Sequence, residues 1–292
     1  MGYFLVTTDH LTDRIWFRDS DDFRTGMNLV AVVSITLNIN VLAFILMSNH
    51  VHFVLECRKE MAELFINEFK KQYSRYFRLK YGTRELLRRN NYDIQDLSLS
   101  DESLERAIAY VLMNCVAANI CSDPSSYPWG TGSCIFQVST RKGKRLDSLT
   151  GRKRIRLLHS KAKLPSGLIV SEDGYILPES YVKYRFVESV FRTPKRLKYF
   201  LDNSSKAKHR IASSESNLPS FRDQVVISAI TDLCNSVFGV SSVSKLNQEQ
   251  LGELFRQIRY RFSSNIEQIA RVTGFPIEKV SDLLDSFNSR QY

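Results

Sequence analysis

Two β-rich runs, Val41 to Met47 and Val51 to Cys57, are separated only by the polar pair Ser48-Asn49. That pattern predicts an antiparallel hairpin. Side chains alternate along a strand, so His50 and His52 project from one face while Val51 points into the core.

The flanking segments extend this unit. Tyr3 to Thr8 (YFLVTT) reads as a first strand. Asp21 to roughly Leu37 carries apolar residues at helical spacing, with Asp21 or Asp22 placed to cap it. Glu60 to Tyr81 predicts a long helix ended by Gly82. A polar segment from Asn90 to Ser100 follows, and helical periodicity returns from Ser103 to Asn119, where Glu102 and Glu105 suit the helix dipole. Strand, helix, two strands and then helices predict a compact antiparallel α+β sandwich. The stretch Leu29 to Met47 is almost uncharged and about as long as a membrane span. Asn38 and Asn40 interrupt it and its second half is β-branched, so a helix tail followed by a buried strand accounts for it, and no membrane partner is expected.

Charge divides the rest of the chain. The 292 residues carry a formal net charge of +10 and a pI near 9.4, a balance that points to a polyanionic partner. Arg141 to Lys163 holds ten Lys/Arg against the single acid Asp147. A second basic stretch, Lys183 to Arg210, centres on Arg192, Lys195, Arg196 and Lys198, with Tyr181, Tyr184, Phe186 and Tyr199 interleaved as candidate base-stacking groups. Clustered cations make a track for a polyanion or, more plainly, a solvated linker with charged helix faces. Beyond the Ser/Asn-rich segment Ser213 to Asn217, Asp223 to Gln291 reads as all-helical. Within it, Ile266 to Leu284 has two helices around Gly274, with Ile269, Ala270, Val280 and Leu283 as the buried face. That arrangement resembles a helix-turn-helix, although Glu278, Asp282 and Asp285 are poor residues for a DNA groove. The expected organisation is a catalytic domain over 1–137, a basic connecting region over 138–215 and a helical C-terminal domain over 216–292.

Five cysteines (Cys57, Cys115, Cys121, Cys134 and Cys234) form no C-x-x-C pair and read as reduced thiols of a cytosolic protein. The N-terminus has no basic stretch followed by an apolar run, so no secretory signal is expected.

Chemistry concentrates around the hairpin. Two imidazoles one residue apart on a strand can converge on one divalent metal. On the helix Ser103 to Asn119, Tyr110 and Asn114 are four residues apart and share a face. An amide oxygen suits a hard cation such as Mg²⁺ or Mn²⁺, and the neighbouring tyrosine is a candidate nucleophile. Tyr73 and Tyr76 compete for that role on a basic helix, but no amide or acid accompanies them at ligand spacing. Lys70, Lys71, Arg75 and Arg78 of that helix are candidate DNA contacts, as are Arg141, Lys142, Lys144, Arg145, Arg152, Lys153, Arg154 and Arg156. Glu56 shares the face of His52 and is either a metal-assisting group or a solvated strand-end carboxylate.

His50-Val-His52 resembles the histidine–hydrophobic–histidine motif of the HUH endonuclease superfamily. The order of parts resembles the REP-associated branch of its single-tyrosine transposases: Met47-Ser-Asn-His-Val-His52, a long basic helix, Tyr110-Val-Leu-Met-Asn114, and the loop Tyr127-Pro-Trp-Gly-Thr131. The likeness covers about residues 1 to 137. It implies a ferredoxin-like antiparallel sheet with helices, followed here by the basic extension and the all-helical C-terminal region. It further implies cleavage of single-stranded DNA at hairpin-forming repeats through a 5′-phosphotyrosine link, with Tyr110 as nucleophile, His50, His52 and Asn114 as ligands of Mg²⁺ or Mn²⁺, and a free 3′-OH. A cytoplasmic, nucleoid-associated enzyme is the resulting expectation, with a homodimer implied by the habit of relatives in the wider superfamily. Cys115 stands where the family often has proline, a departure that lets the helix run on. The alternative is a non-catalytic DNA-binding regulator that uses the basic region and the C-terminal helices.

Overall fold

The computed structural model describes residues 1–9, 15–82, 91–118, 120–137, 141–204, 223–262, 264 and 266–288. The Ser213–Asn217 segment and the basic end near Arg210 lie outside them. The core opens as β1 (Gly2–Thr8), α1 (Ser20–Thr36), β2 (Asn40–Met47), β3 (His50–Cys57), α2 (Lys59–Tyr81) and β4 (Tyr92–Leu97). All strand pairs are antiparallel, in the order β2-β3-β1-β4. This is the split βαβ arrangement of a ferredoxin-like sheet. The fourth strand falls in the segment read as merely polar. Its sequence, YDIQDL, has intermediate or exposed side chains throughout, as an edge strand covered on one side allows.

Alternation sorts the layers. Phe53 of β3 meets Phe65 and Phe69 of α2 with ring centroids 5.0 and 5.4 Å apart. Its partner Phe44, with Leu46 and Val51, shares that face, and Gly26 of α1 lies against Leu46. Thus α1 and α2 cover one side of the sheet, and His50 and His52 look out of the other. α1 is capped by Asp19, whose carboxylate accepts from the Asp22 amide at 2.9 Å, not by Asp21 or Asp22. Asp22 is fully buried and ties the two helices together. It accepts from the hydroxyls of Tyr76 (2.8 Å) and Tyr81 (2.9 Å) and from Lys80 Nζ (2.9 Å). α2 closes on Gly82, whose φ of 71° belongs to the left-handed region that glycine enters without strain.

The opposite face is covered by α3 (Ser103–Leu112), with α6 (Tyr184–Phe191) and α7 (Pro194–Asp202) beyond it once the short α4 (Asn114–Ala117) has passed. Phe186 stacks on Tyr3 of β1, ring centroids 5.9 Å apart. Arg196 of α7 reaches Glu102 at 3.1 Å and Glu105 at 3.2 Å, pinning the start of α3, where Glu102 adopts a positive φ of 61°. The free edge of β2 is closed by the Tyr127-Pro-Trp-Gly segment. Leu46 N–H donates to the Trp129 carbonyl at 2.8 Å, and Thr131 N–H donates to the Phe44 carbonyl at 3.1 Å. A Cβ on Gly130 would sit 2.9 Å from the Phe44 carbonyl oxygen, so the close approach requires glycine.

The basic middle is folded onto the core. A two-stranded ribbon, β5 (Gly143–Arg145) with β6 (Ile169–Ser171), and helix α5 (Gly151–Leu158) enclose Leu146, Leu158, Leu168, Val170 and Ile176 against Ala31 and Val32 of α1. Those α1 residues lie opposite its sheet-facing side. Asn28 secures the junction: its amide donates to the carbonyls of Leu157 (3.1 Å) and Gly174 (3.2 Å) and accepts from Ile176 N–H at 2.8 Å.

A second core belongs to α8 (Asp223–Val237), α9 (Gln248–Phe262), α10 (Ile266–Thr273) and α11 (Ile277–Asn288). Ile269, Ala270, Val280 and Leu283 are all buried in it, as their spacing predicts. Ile15 joins this cluster from the loop before α1. No helix among the described residues is long and apolar enough to cross a membrane.

Candidate active site

The turn carrying Ser48 and Asn49 is held from below. Trp16 and Phe17 donate their backbone N–H groups to the Ser48 carbonyl at 2.7 and 3.2 Å. Tyr73 donates its hydroxyl to the Trp16 carbonyl. The rigid turn then delivers His50, 5% exposed, and His52, fully buried, to the same side of β3. Their ring centroids are 4.8 Å apart and nearly perpendicular.

Each imidazole has an oxygen at Nδ1: Asn49 Oδ1 at 2.7 Å for His50 and Thr7 Oγ1 at 3.2 Å for His52. An amide oxygen only accepts, so Nδ1 of His50 carries the proton and its lone pair lies on Nε2. This is the form of a metal-ligating histidine, whose second nitrogen is oriented by an outer hydrogen bond. Thr7 can accept in the same sense at His52. The alternation of β1 opposite His52 places Thr7 there, a neighbour that reading the hairpin alone does not reveal.

Tyr110 arrives from the helix above. Its ring meets that of His52 at 5.3 Å between centroids and 84° between planes. The side chain is half-buried, and burial pushes its phenol above the ordinary tyrosine range. Asn114 lies one turn further on, 3% exposed, donating its amide to the Tyr110 carbonyl at 2.8 Å and to the Val111 carbonyl at 3.3 Å. A side-chain amide competing for helix carbonyls breaks the regular ladder. The helix does break there, at Met113, instead of running on from Ser103 to Asn119. With Nδ2 committed to the backbone, Oδ1 is the amide end that a cation would use. The described residues contain no group of three or more His, Cys, Asp or Glu able to hold a metal, so an acidic third ligand is not available among them. Glu56 does not serve. It accepts from Asn40 at 2.8 Å, four residues and therefore about 13 Å along the strand from His52.

The competing tyrosines are structural. Tyr73 is completely buried and its phenol is pushed well up by desolvation. Tyr76 donates to Asp22, and burial beside that carboxylate raises its phenol strongly. Tyr73→Phe should cost about 1–3 kcal/mol of stability by orphaning the Trp16 carbonyl, read as a lower melting temperature, while leaving any tyrosine-dependent DNA chemistry in place. All five cysteines are free; burial pushes Cys57 up to about 11 and Cys134 up to about 12, which removes those two as nucleophiles at neutral pH.

The candidate DNA contacts are not gathered at this site. Lys71, Arg75 and Arg78 occupy the side of α2 opposite its buried face, across the sheet from the histidines. Lys70 is half-buried over the Tyr92 ring, 5.3 Å from its centroid, and Lys71 pairs with Glu68 at 3.2 Å. Arg141 is spent internally, 3.3 Å from both Glu179 and the Tyr175 hydroxyl. Arg145 pairs with Asp147 at 2.7 Å, whereas Lys142, Lys144, Arg152, Lys153, Arg154 and Arg156 are exposed in the module outside α1. Of the interleaved aromatics, Tyr181 and Tyr184 are partly buried and Phe186 is stacked on Tyr3, whereas Tyr199 is 63% exposed.

Neither a curated protein nor a solved structure matches the chain. Residues 17–97 match the family model described as "Transposase IS200 like", a span that holds both histidines and stops before Tyr110. Together with the antiparallel α+β core, the match makes this segment of the chain similar to the IS200-like transposases.

Proposed function

We propose that the chain is a single-strand DNA nicking and joining enzyme with Tyr110 as its nucleophile. The observation that carries this reading is the convergence of His50, His52 and Tyr110 on one face of the sheet. Tyr110 Oη attacks the scissile phosphorus, and the tyrosyl P–O bond forms as the bond to the 3′ oxygen breaks. The phenol proton passes to solvent, and the departing 3′ oxygen takes one up as a hydroxyl. One DNA end then stays on the protein through its 5′ phosphate. Attack by a 3′-OH reverses the step, and because phosphodiester bond energy is retained no nucleoside triphosphate is required.

His50 and His52 would hold a divalent metal through Nε2, with the Asn114 amide oxygen as third ligand. This mixed nitrogen and oxygen set fits Mn²⁺ and, less readily, Mg²⁺. Bound there, the ion polarises the phosphate and neutralises developing charge. Burial raises the Tyr110 phenol further above its ordinary range, so attack requires its proton to be removed. All three residues come from one protomer, so the proposed site does not require a homodimer. Hairpin-forming repeat DNA is the proposed substrate, following the resemblance to the REP-associated branch. A DNA-binding regulator has no use for this triplet, and the second helix of the C-terminal pair exposes Glu278 and Asp282, which repel phosphate.

The test is incubation of the full chain with labelled single-stranded hairpin DNA and Mn²⁺ or Mg²⁺. A denaturation-resistant protein–DNA adduct that EDTA suppresses supports the proposal. No adduct across diverse hairpins, with DNA binding retained, would favour the regulator.

A further inference from the structure

We propose that Cys115 and Cys121 are a peroxide-oxidisable dithiol, and that the disulfide they form displaces Asn114 from the site. The modification itself is independent of the Tyr110 reading; its effect rests on Asn114 being a metal ligand. The chain brings the two thiols together just past the break in the tyrosine helix. Ala118 N–H donates to the Asn114 carbonyl at 3.0 Å, which closes α4. Ile120 N–H then donates to the Cys115 carbonyl, also at 3.0 Å. Such wide turns occur where helices end, and this one folds the next residue back toward Cys115. The two sulfurs accordingly share a side-chain hydrogen bond.

Their surroundings give the two thiols different parts. Cys115 is fully buried, and its Sγ reaches the Leu112 carbonyl at 3.3 Å. Cys121 is only partly buried, whereas Cys57, Cys134 and Cys234 are, like Cys115, buried. A small oxidant arriving from solvent therefore meets Cys121 first. The thiolate is the reactive form, and the hydrogen bond from Cys115 holds the Cys121 thiol below its ordinary range. An accessible thiol with a second thiol beside it is the arrangement of a reversible redox site.

The oxidant is hydrogen peroxide. The Cys121 thiolate attacks a peroxide oxygen and the O–O bond breaks. This leaves a sulfenic acid on Cys121, and the departing oxygen takes up a proton to become water. Cys115 then attacks the Cys121 sulfur. The S–S bond forms as the S–O bond breaks, and the Cys115 proton leaves with that oxygen as a second water. The two thiols lose two electrons and two protons in all, and the peroxide is reduced. A dithiol reductant reverses the change. A disulfide holds its sulfurs far closer than a hydrogen bond does, so Cys115 must leave the Leu112 carbonyl and swing toward Cys121. Asn114 is its neighbour in the chain, tied to the carbonyls of Tyr110 and Val111 at 2.8 and 3.3 Å. A shift of α4 toward Cys121 moves the Asn114 amide with it. Misplacing a positioned group by about 1 Å can cost on the order of a hundredfold in rate.

The test treats the full reduced chain with graded hydrogen peroxide in EDTA and then removes the peroxide. Remaining thiols are alkylated under denaturing conditions, and the peptides are mapped by mass spectrometry. The expected product is an intramolecular Cys115–Cys121 disulfide that dithiothreitol reverses, with Cys57, Cys134 and Cys234 alkylated. Cys115→Ser should stop the reaction at a sulfenic acid on Cys121 that dimedone traps, and Cys121→Ser should form no disulfide. Both thiols left alkylatable at peroxide levels that already oxidise methionines would overturn the proposal. So would Cys121 joined to another cysteine instead. A second arm follows melting temperature against Mn²⁺. Oxidised wild type should need on the order of tenfold more Mn²⁺ for the same rise, and dithiothreitol should restore the reduced response. Peroxide-treated Cys121→Ser should match its untreated form. A mapped disulfide that leaves the Mn²⁺ response of wild type unchanged would overturn the displacement of Asn114. A reduced chain with no Mn²⁺ response would sink the metal reading and with it the effect on the site, while the disulfide map still decides the modification.

Discussion

Tyr110→Phe is expected to abolish the covalent protein–DNA adduct and to slow nicking by roughly 10⁴-fold or more, the scale on which an enzyme loses its nucleophile. The substitution removes one hydroxyl and keeps the ring that packs edge-on against His52, so folding and DNA affinity should be retained. That separates a chemical loss from a structural one. Tyr73→Phe is the matched control, because its hydroxyl holds the Trp16 carbonyl beneath the hairpin turn. Adduct formation that survives Tyr110→Phe and disappears in Tyr73→Phe would sink the assignment.

The second large effect concerns the imidazoles. His50→Ala and His52→Ala should each reduce nicking by roughly 10²- to 10³-fold, in line with the loss of electrostatic stabilisation at a reacting phosphate. Each should also remove a stabilising response to Mn²⁺. If both rings bind the ion only in the folded state, wild type should melt higher with increasing Mn²⁺ and the variants should not. The orienting residues make a finer version of the same test. Asn49→Ala and Thr7→Val leave both rings in place but remove the oxygens at Nδ1. They should weaken Mn²⁺ by about 10- to 100-fold, and the effect on nicking should diminish when Mn²⁺ is raised. Activity that ignores these changes at limiting Mn²⁺ would mean that the imidazoles are not ligands.

The hairpin and its flanking helices were legible because each has a strong local signature. Strand alternation alone puts His50 and His52 on one face, and helical spacing alone joins Tyr110 to Asn114. β4 was hidden because an edge strand with little burial carries few apolar residues; Tyr92 and Ile94 alternate, but Asp96 ends the pattern. The break at Met113 was hidden because it depends on where the Asn114 amide points. Folding of the basic middle onto α1 was obscured by isolated apolar residues, from Leu146 to Ile176, that show no period until the core assembles them. Charge misled for a related reason. A run of lysines and arginines looks continuous along the chain, yet the fold sends Arg141 and Arg196 into internal ion pairs and sets most of the others across the sheet from Tyr110. Thr7 and Asn49 join the site through β-pairing and a turn, so only three-dimensional register reveals them.

The most direct measurement is to map the attachment point of the adduct. After reaction of the intact chain with single-stranded hairpin DNA and Mn²⁺, digestion by nuclease and protease and mass spectrometry of the nucleotidyl peptide identify the linked residue. The account predicts a 5′-phosphodiester on Tyr110 and on no other tyrosine. Attachment at Tyr73 or Tyr76, or no attachment in a folded chain that binds both Mn²⁺ and the DNA, would contradict it.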